Sequence, residues 1–319
     1  MNAELVKSAA AGDRAALDEL ALIADVDPAA LTDHLESLYA QGLLWPPTLY
    51  RGASAELVRK VVGDVDAART TGDLRLNHLL LVAAHVRDPG GEQALRRWQA
   101  SPPEGAASLH APPLAYALEA GWTLAPDGTR RELCGPVSHR LVVARAQQRV
   151  DPPVCPWCTS PMWLVADLDV DDPAVGEALS HTAWRGRLRI ETCALCACYG
   201  PVRSQVGPNG TATWWAGNTR PEYLPAGLGP EEPPAVLLLV GTRRASPFQA
   251  SAWDAGGSTL GGHPDWIQHA EHVACPGCGQ AMDYVGLVGG ADVEEWGEGA
   301  YYLHLHAPCG FAAVNYQQS

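Results

Sequence analysis

The sequence predicts an α+β protein, a helical N-terminal module followed by a β-rich domain. Three observations carry that expectation. Over residues 1–100 the apolar residues recur at helical spacing between glycine and proline stops. Beyond residue 120 they fall into short runs bounded by turn residues such as Pro126-Asp-Gly128 and Gly207-Pro-Asn-Gly210. The β-rich part also uses one pattern twice. Residues 155–202 open with Cys155-Pro-Trp-Cys158, place Met162 shortly after, and close with Cys193-Ala-Leu-Cys196. Residues 275–315 open with Cys275-Pro-Gly-Cys278, place Met282 at the same offset, and close with His306-Ala-Pro-Cys309.

In chain order, residues 3–11 form a first helix that Gly12 stops. Asp13 caps a second, running to about Ala24 with Leu17, Leu20 and Ala21 inward. Asp27 caps a third, with Pro28 at its first position, Leu31, Leu35 and Leu38 as its apolar stripe and Gly42 past its end. Together with Gly42-Leu-Leu-Trp45, this resembles a winged helix-turn-helix whose recognition helix is 28–41. That segment carries Asp33, His34 and Glu36 but no Lys or Arg, and residues 1–50 hold two basic against eight acidic side chains. DNA binding is therefore not the expected role. Helices continue from Ser54 to about Arg69, Leu74 to Val86 and Glu92 to Gln99, joined in the manner of HEAT-like pairs. Pro102, Pro103, Pro112 and Pro113 mark a boundary, and the helical module is assigned residues 1–104.

A bridging segment, 105–150, follows. Gly121–Leu133 reads as a hairpin turning at Pro126-Asp-Gly128. Cys134 reads as a buried thiol without a partner at ligand spacing, and Leu141-Val-Val143 with Gln147–Val150 lead to the first knuckle.

Two Cys-x-x-Cys turns at strand ends aim four donors inward, the tetrahedral set that zinc takes. The first unit, 151–220, offers Cys155, Cys158, Cys193 and Cys196, with 34 residues between the knuckles. The second, 235–319, offers Cys275, Cys278, His306 and Cys309, with 27 between. Both read as zinc-ribbon-like units, and the expected cofactors are two structural zinc ions, because four protein ligands leave no position for a catalytic water. His304 lies on the same strand face as His306 and is an alternative ligand. Aligning the repeats puts His306 over Cys193 and His304 over Glu191, which favours His306. Cys198 aligns with Phe311 and reads as a packed thiol. The insertions 167–186 and 286–299 are expected to project as loops. Val202–Val206 and Thr211–Trp215 read as a hairpin, and Trp184, Trp214 and Trp215 as sheet packing or a partner site. Pro221–Pro234 reads as a connector and Ala235–Val240 as a buried strand.

Other motifs do not assemble. Asp167-Leu-Asp-Val-Asp-Asp172 lacks the glycine and glutamate of a calcium loop and reads as a solvated acidic loop. Gly256-Gly257 and Gly261-Gly262 lack the context of a phosphate loop. Neither Gly-x-Ser-x-Gly nor His-Glu-x-x-His occurs, and His263, His269 and His272 read as turn and surface histidines, so no catalytic residues are assigned.

Composition bounds the rest. The chain has 319 residues, 47% of them hydrophobic, and no apolar run of the roughly 18–20 residues that a membrane helix needs. Its N-terminus lacks the basic and apolar regions of a signal peptide, and an odd count of nine cysteines, seven of them in paired knuckles, fits a reducing compartment, so a cytoplasmic location is expected. Net charge is −14, with −3 in residues 1–150 and −11 in the remainder. Such a surface repels phosphate backbones, which disfavours nucleic acid and favours a basic protein partner. Only Lys7 and Lys60 stand against 20 arginines, a bias typical of a GC-rich bacterial genome.

Ser258-Thr-Leu-Gly-Gly-His-Pro-Asp-Trp-Ile-Gln268, then Cys275-Pro-Gly-Cys-Gly-Gln-Ala-Met282 and Tyr301–Gln317, resembles the C-terminal pattern of the YwqG-like family of unknown function. A similar pattern occurs in eukaryotic programmed-cell-death-2-like proteins, which are thought to chaperone a ribosomal protein. The resemblance spans about 235–319, is weaker over 150–215, and leaves the helical N-terminus uncovered. It departs at His306, where the family has cysteine. It implies a β-rich binding domain and, because some bacterial members lie in toxin–antitoxin-like loci, an immunity role. The sequence thus leads to a non-enzymatic, zinc-stabilised protein-interaction module, an immunity protein or chaperone for a basic partner. Two other readings stand beside it. One is a winged-helix transcriptional regulator with a zinc-ribbon effector domain, the other a hydrolase or transferase using His263, His269 or His272.

Overall fold

A computed structural model gives the fold and describes residues 3–67, 73–145, 151–227, 229–294 and 297–318. The chain forms two compact units, Met1–Arg131 and Glu132–Ser319, rather than the four segments read from the sequence. The reason is packing. Residues 105–131 fold back onto the helices, and the two knuckle repeats share one hydrophobic core.

The first unit contains α1 (Ala3–Ala10), α2 (Arg14–Val26), α3 (Thr32–Ala40), α4 (Ala55–Asp66), α5 (Asp73–His85) and α6 (Pro89–Ala100). The expected caps are present. Asp13 accepts from the Ala15 and Ala16 amides and Asp27 from Ala29, and the helix read from Ser54 is capped by that residue, which accepts from Leu57. Gly42, at φ 78°, closes α3 while the Leu43 amide reaches back to the Leu38 carbonyl. The third helix does not run unbroken from 28 to 41. Pro28–Leu31 form a 3-10 turn, packed where the Pro47–Gly52 turn leaves no room for a Cβ on Gly52 beside the Pro28 carbonyl. That turn also occupies the place in the chain where the strands of a wing would begin. α6 starts three residues before the expected Glu92. Asp88-Pro89-Gly90 reads as a turn, but the Asp88 carboxylate accepts from the Gly90 amide and Pro89 supplies the first helical position. The end expected for the fourth helix at Arg69 lies outside the described residues. After α6, Tyr116 is buried and donates its hydroxyl to Asn77, which ties the proline-marked boundary into the helical core. The hairpin forms as expected, from β1 (Trp122–Leu124) and β2 (Arg130–Glu132), with Gly128 at φ 82° in the turn.

The second unit contains β3 (Ser138–Arg145), β4 (Trp163–Asp169), α7 (Pro173–Ala178), β5 (Arg187–Thr192), α8 (Ala194–Ala197), β6 (Val202–Val206) and β7 (Ala212–Trp214). It continues with β8 (Val236–Arg243), β9 (Thr259–Gly261), β10 (Asp283–Gly289), α9 (Gly290–Val293), β11 (Ala300–His306) and β12 (Phe311–Gln317). Gln147–Val150, read as extended, lie outside the described residues. Eight strands form one sheet in the order β7-β6-β12-β11-β10-β9-β3-β8, and β4-β5 form a separate pair. The β4-β5 pair shares a core with one face of the large sheet, through Trp163, Leu168 and Ile190 against Val285, Leu303 and Val314. The other face buries Tyr284, Leu287 and Tyr302, so β10 and β11 are buried throughout.

The duplication extends to the backbone. Trp163 pairs with Thr192 and Leu164 with Glu191, then a bulge precedes Ala166 with Ile190. At the corresponding positions Asp283 pairs with Leu305 and Tyr284 with His304, then a bulge precedes Gly286 with Leu303. The repeats diverge at their third strands. β12 continues its own hairpin, whereas β6 leaves the first repeat and pairs with β12, Val202 facing Val314.

Several expectations change. The 167–186 insertion does not project; it forms α7, capped by Asp172, with Val175, Leu179 and Trp184 buried. Its acidic run serves local structure, since Asp167 lies in β4 and accepts from Arg187 and Arg189 across the pair. The 286–299 insertion contributes the end of β10 and α9. β8 is an edge strand, with Leu237 and Leu239 exposed. Its unbroken apolar run reads as buried on both faces because periodicity does not reveal sheet position.

Candidate metal centres

Each centre is built by two chain reversals. At the first, the Cys155 amide donates to Ser160, the Thr159 amide to Cys155 and the Met162 amide to Pro153. At the second, the Cys275 amide donates to Gln280, the Gly279 amide to Cys275 and the Met282 amide to Val273. The same residue position is left-handed in both, Thr159 at φ 63° and Gly279 at φ 75°. The strands after these turns carry the chain to the second knuckles, Cys193–Cys196 around α8 and His306–Cys309 in a 3-10 turn.

All eight expected ligands converge as two groups of four, Cys155, Cys158, Cys193 and Cys196, and Cys275, Cys278, His306 and Cys309. Within each group the donor atoms lie within 4.8 Å of one another. In the first, Cys155 and Cys196 sulfurs are 3.8 Å apart and Cys158 and Cys193 sulfurs 3.5 Å. In the second, Cys278 sulfur lies 3.7 Å from His306 Nε2. Donors bonded to one zinc at tetrahedral angles stand about 3.6–3.8 Å apart, so both sets fit such an ion. A disulfide needs about 2.05 Å, and all these cysteines are free.

The first centre is sealed. Its cysteines are buried, the Trp157 and Cys196 amides donate to Cys155 and Cys193 sulfurs, and Ser160 sits 3.1 Å from Cys158 while accepting from the Glu231 amide. Such outer bonds orient ligands before an ion arrives. Hydrogen bonding to Cys193 and Cys196 pulls the Cys155 thiol far below the usual thiol range, and the reciprocal bonds push Cys193 and Cys196 up. Packed this closely, the four sulfurs cannot all ionise without a cation. The second centre is more open: Cys275 and His306 are buried, Cys278 is exposed and Cys309 half-buried.

His304 lies outside the ligand set. It is buried, its Nε2 is 2.9 Å from Asn315 Oδ1, and Asn315 in turn donates to Glu271. Full burial, helped by His272, drives His304 down to about 3, so the ring is neutral. Its parity with His306 gives no warning of this, because the Asn315 partner comes from β12. His263, His269 and His272 do not converge. His263 is buried against Phe248, His272 is buried against Trp266, and His269 is exposed. Cys134 is buried as expected, whereas Cys198 is exposed and bonds the Ala194 carbonyl. Trp184 is buried; Trp214 meets Trp157 edge-on at 4.9 Å and Trp215 meets Phe311 at 5.8 Å, so these two brace the metal knuckles. Gly261 and Gly262, both at φ 69°, are tight corners where a Cβ would strike the Val137 and Pro247 carbonyls.

With this geometry in place, the chain can be set beside known proteins. It is similar to an uncharacterized protein, YpfL, of Salmonella typhimurium, at 32% identity over 265 residues. That similarity covers 78% of this chain and 60% of the relative, so the chain spans under two thirds of the relative's length. No family model matches the chain, and no solved structure does. No helix among the described residues is long and apolar enough to cross a membrane.

Proposed function

We propose that this chain is a cytoplasmic, non-catalytic protein-interaction module, stabilised by two zinc ions, whose acidic β unit docks a basic protein as an immunity protein or chaperone does. The observation that carries this reading is the pair of closed four-ligand sets, each carried by one of two corresponding hairpins, β4-β5 and β10-β11. Four protein donors leave zinc no position for water or substrate, so the ion serves folding. Zinc binding is worth about 10–16 kcal/mol in small zinc peptides, enough to replace the core that a thin hairpin cannot build. The −11 charge of residues 151–319 supplies long-range attraction for a basic partner. The sequence resemblance to YwqG-like proteins supports the binding role.

Affinity capture from native lysate on the zinc-loaded chain tests this. The expected result is a basic protein retained at low salt and released as salt is raised, as screening requires. Retention of DNA with the same salt dependence, and of no protein, would instead support the winged-helix reading.

A further inference from the structure

One concavity of the β unit lies outside both metal centres. It has a volume of about 270 Å3, and its walls include Val293, Glu294, Glu298, Tyr301, Tyr316 and Gln318. Both rings are held in place. Tyr301 meets Trp163 edge-on at 5.2 Å and Tyr316 at 4.8 Å, and the Tyr316 hydroxyl donates to the Glu298 carbonyl. The α9 wall is equally fixed. The Gly290 amide donates to Gly299 at 2.8 Å, and a Cβ on Gly290 would meet the Glu298 carbonyl at 2.5 Å. Glu294 and Glu298 are exposed, and no described cation pairs with either. Burial raises both phenols, Tyr316 to about 12, and Cys198 and then Glu294 add to the rise.

We propose that this cavity binds the guanidinium or ammonium head of an arginine or lysine side chain presented by a basic protein, which rests on the docking role proposed above. The volume lies just below the roughly 300 Å3 at which pockets for drug-sized ligands begin, and it suits one side chain. Tyrosine faces attract cations through the ring quadrupole, and carboxylates give charge-assisted hydrogen bonds to guanidinium or ammonium donors. An anion is repelled by the same groups. A bare metal ion needs about six or more oxygen donors, and two phenol rings and Val293 take up much of the lining.

The test follows amide shifts of Val293 and Gln318 in the zinc-loaded full chain, titrated with N-acetyl-arginine amide, N-acetyl-lysine amide, the neutral N-acetyl-citrulline amide, and putrescine. Saturable shifts with the two cations and none with citrulline are expected. Glu294→Gln with Glu298→Gln should weaken binding roughly tenfold or more, the loss of a charge-assisted hydrogen bond, while zinc content and melting stay unchanged. Tyr316→Leu should weaken it and Tyr316→Phe restore most of it. Equal binding of citrulline, or no effect of the double glutamine variant, overturns the site. Tighter binding of putrescine than of either amino-acid amide overturns the side-chain source. A basic partner captured equally by the double variant overturns the cavity and leaves the docking role standing. Probe binding lost in the double variant, with no basic protein ever captured, supports the cavity and removes the docking role.

Discussion

Thr159 occupies a backbone conformation that its counterpart fills with Gly279. A left-handed backbone costs a residue with a Cβ about 1–2 kcal/mol, and glycine gives part of this back as chain entropy on folding. Thr159→Gly should therefore raise unfolding stability by about 1 kcal/mol, measured by chemical denaturation. A decrease would mean that the 2.6 Å bond from Thr159 Oγ1 to the Cys158 carbonyl outweighs the strain. His85 gives a pH prediction. Burial, with Arg51 nearby, holds its folded-state ring down to about 3, against about 6.5 unfolded. The unfolded chain takes up the proton first, so the His85 contribution is full above about pH 6.5 and is lost as pH falls toward 3. Protection factors of the α5 amides, corrected for the intrinsic pH dependence of exchange, should fall over that window, and His85→Gln should flatten the dependence. At this scale the cysteine ligands were legible because spacing and chemistry coincide. The choice between His304 and His306 came from repeat alignment, and the reason for it, the Asn315–Glu271 chain, involves residues distant in sequence.

Among elements, helix boundaries were legible where caps were. Asp13, Asp27 and Gly42 act as read, whereas Asp88-Pro89-Gly90 has the composition of a turn and the geometry of a cap. The strand pairs that carry the knuckles follow from the repeat, down to a bulge at the same place in each. What could not be read was that β6 deserts its own repeat for β12, because pairing partners are set by tertiary packing and not by pattern. The two centres should also differ in exchange. With Cys278 exposed and Cys309 half-buried, the second centre admits a chelator that the first excludes. Zinc release to an excess of chelator should be biphasic, the fast half absent from His306→Ala. A single phase, or a fast phase surviving in His306→Ala, would contradict this ranking.

For the whole molecule, fold class was legible from periodicity, and the described chain is a helical unit and a β unit. The sequence reading divides the chain at residues 104, 150 and 220, whereas contacts separate it once, after Arg131. Proline marks a stiff segment but not whether it packs back on the domain behind it, as Tyr116 does. Charge, by contrast, is a property of composition, and the acidity of the β unit is what makes the proposed docking role salt-dependent. Everything in the account of that unit rests on the two four-ligand sets. The most direct measurement is therefore zinc per chain in the purified protein and in single variants. Two zinc ions are expected in the parent and in His304→Asn, and one in each of Cys155→Ser and Cys275→Ser, with lowered melting temperature. Full zinc content in either cysteine variant, or loss of zinc in His304→Asn, would contradict it.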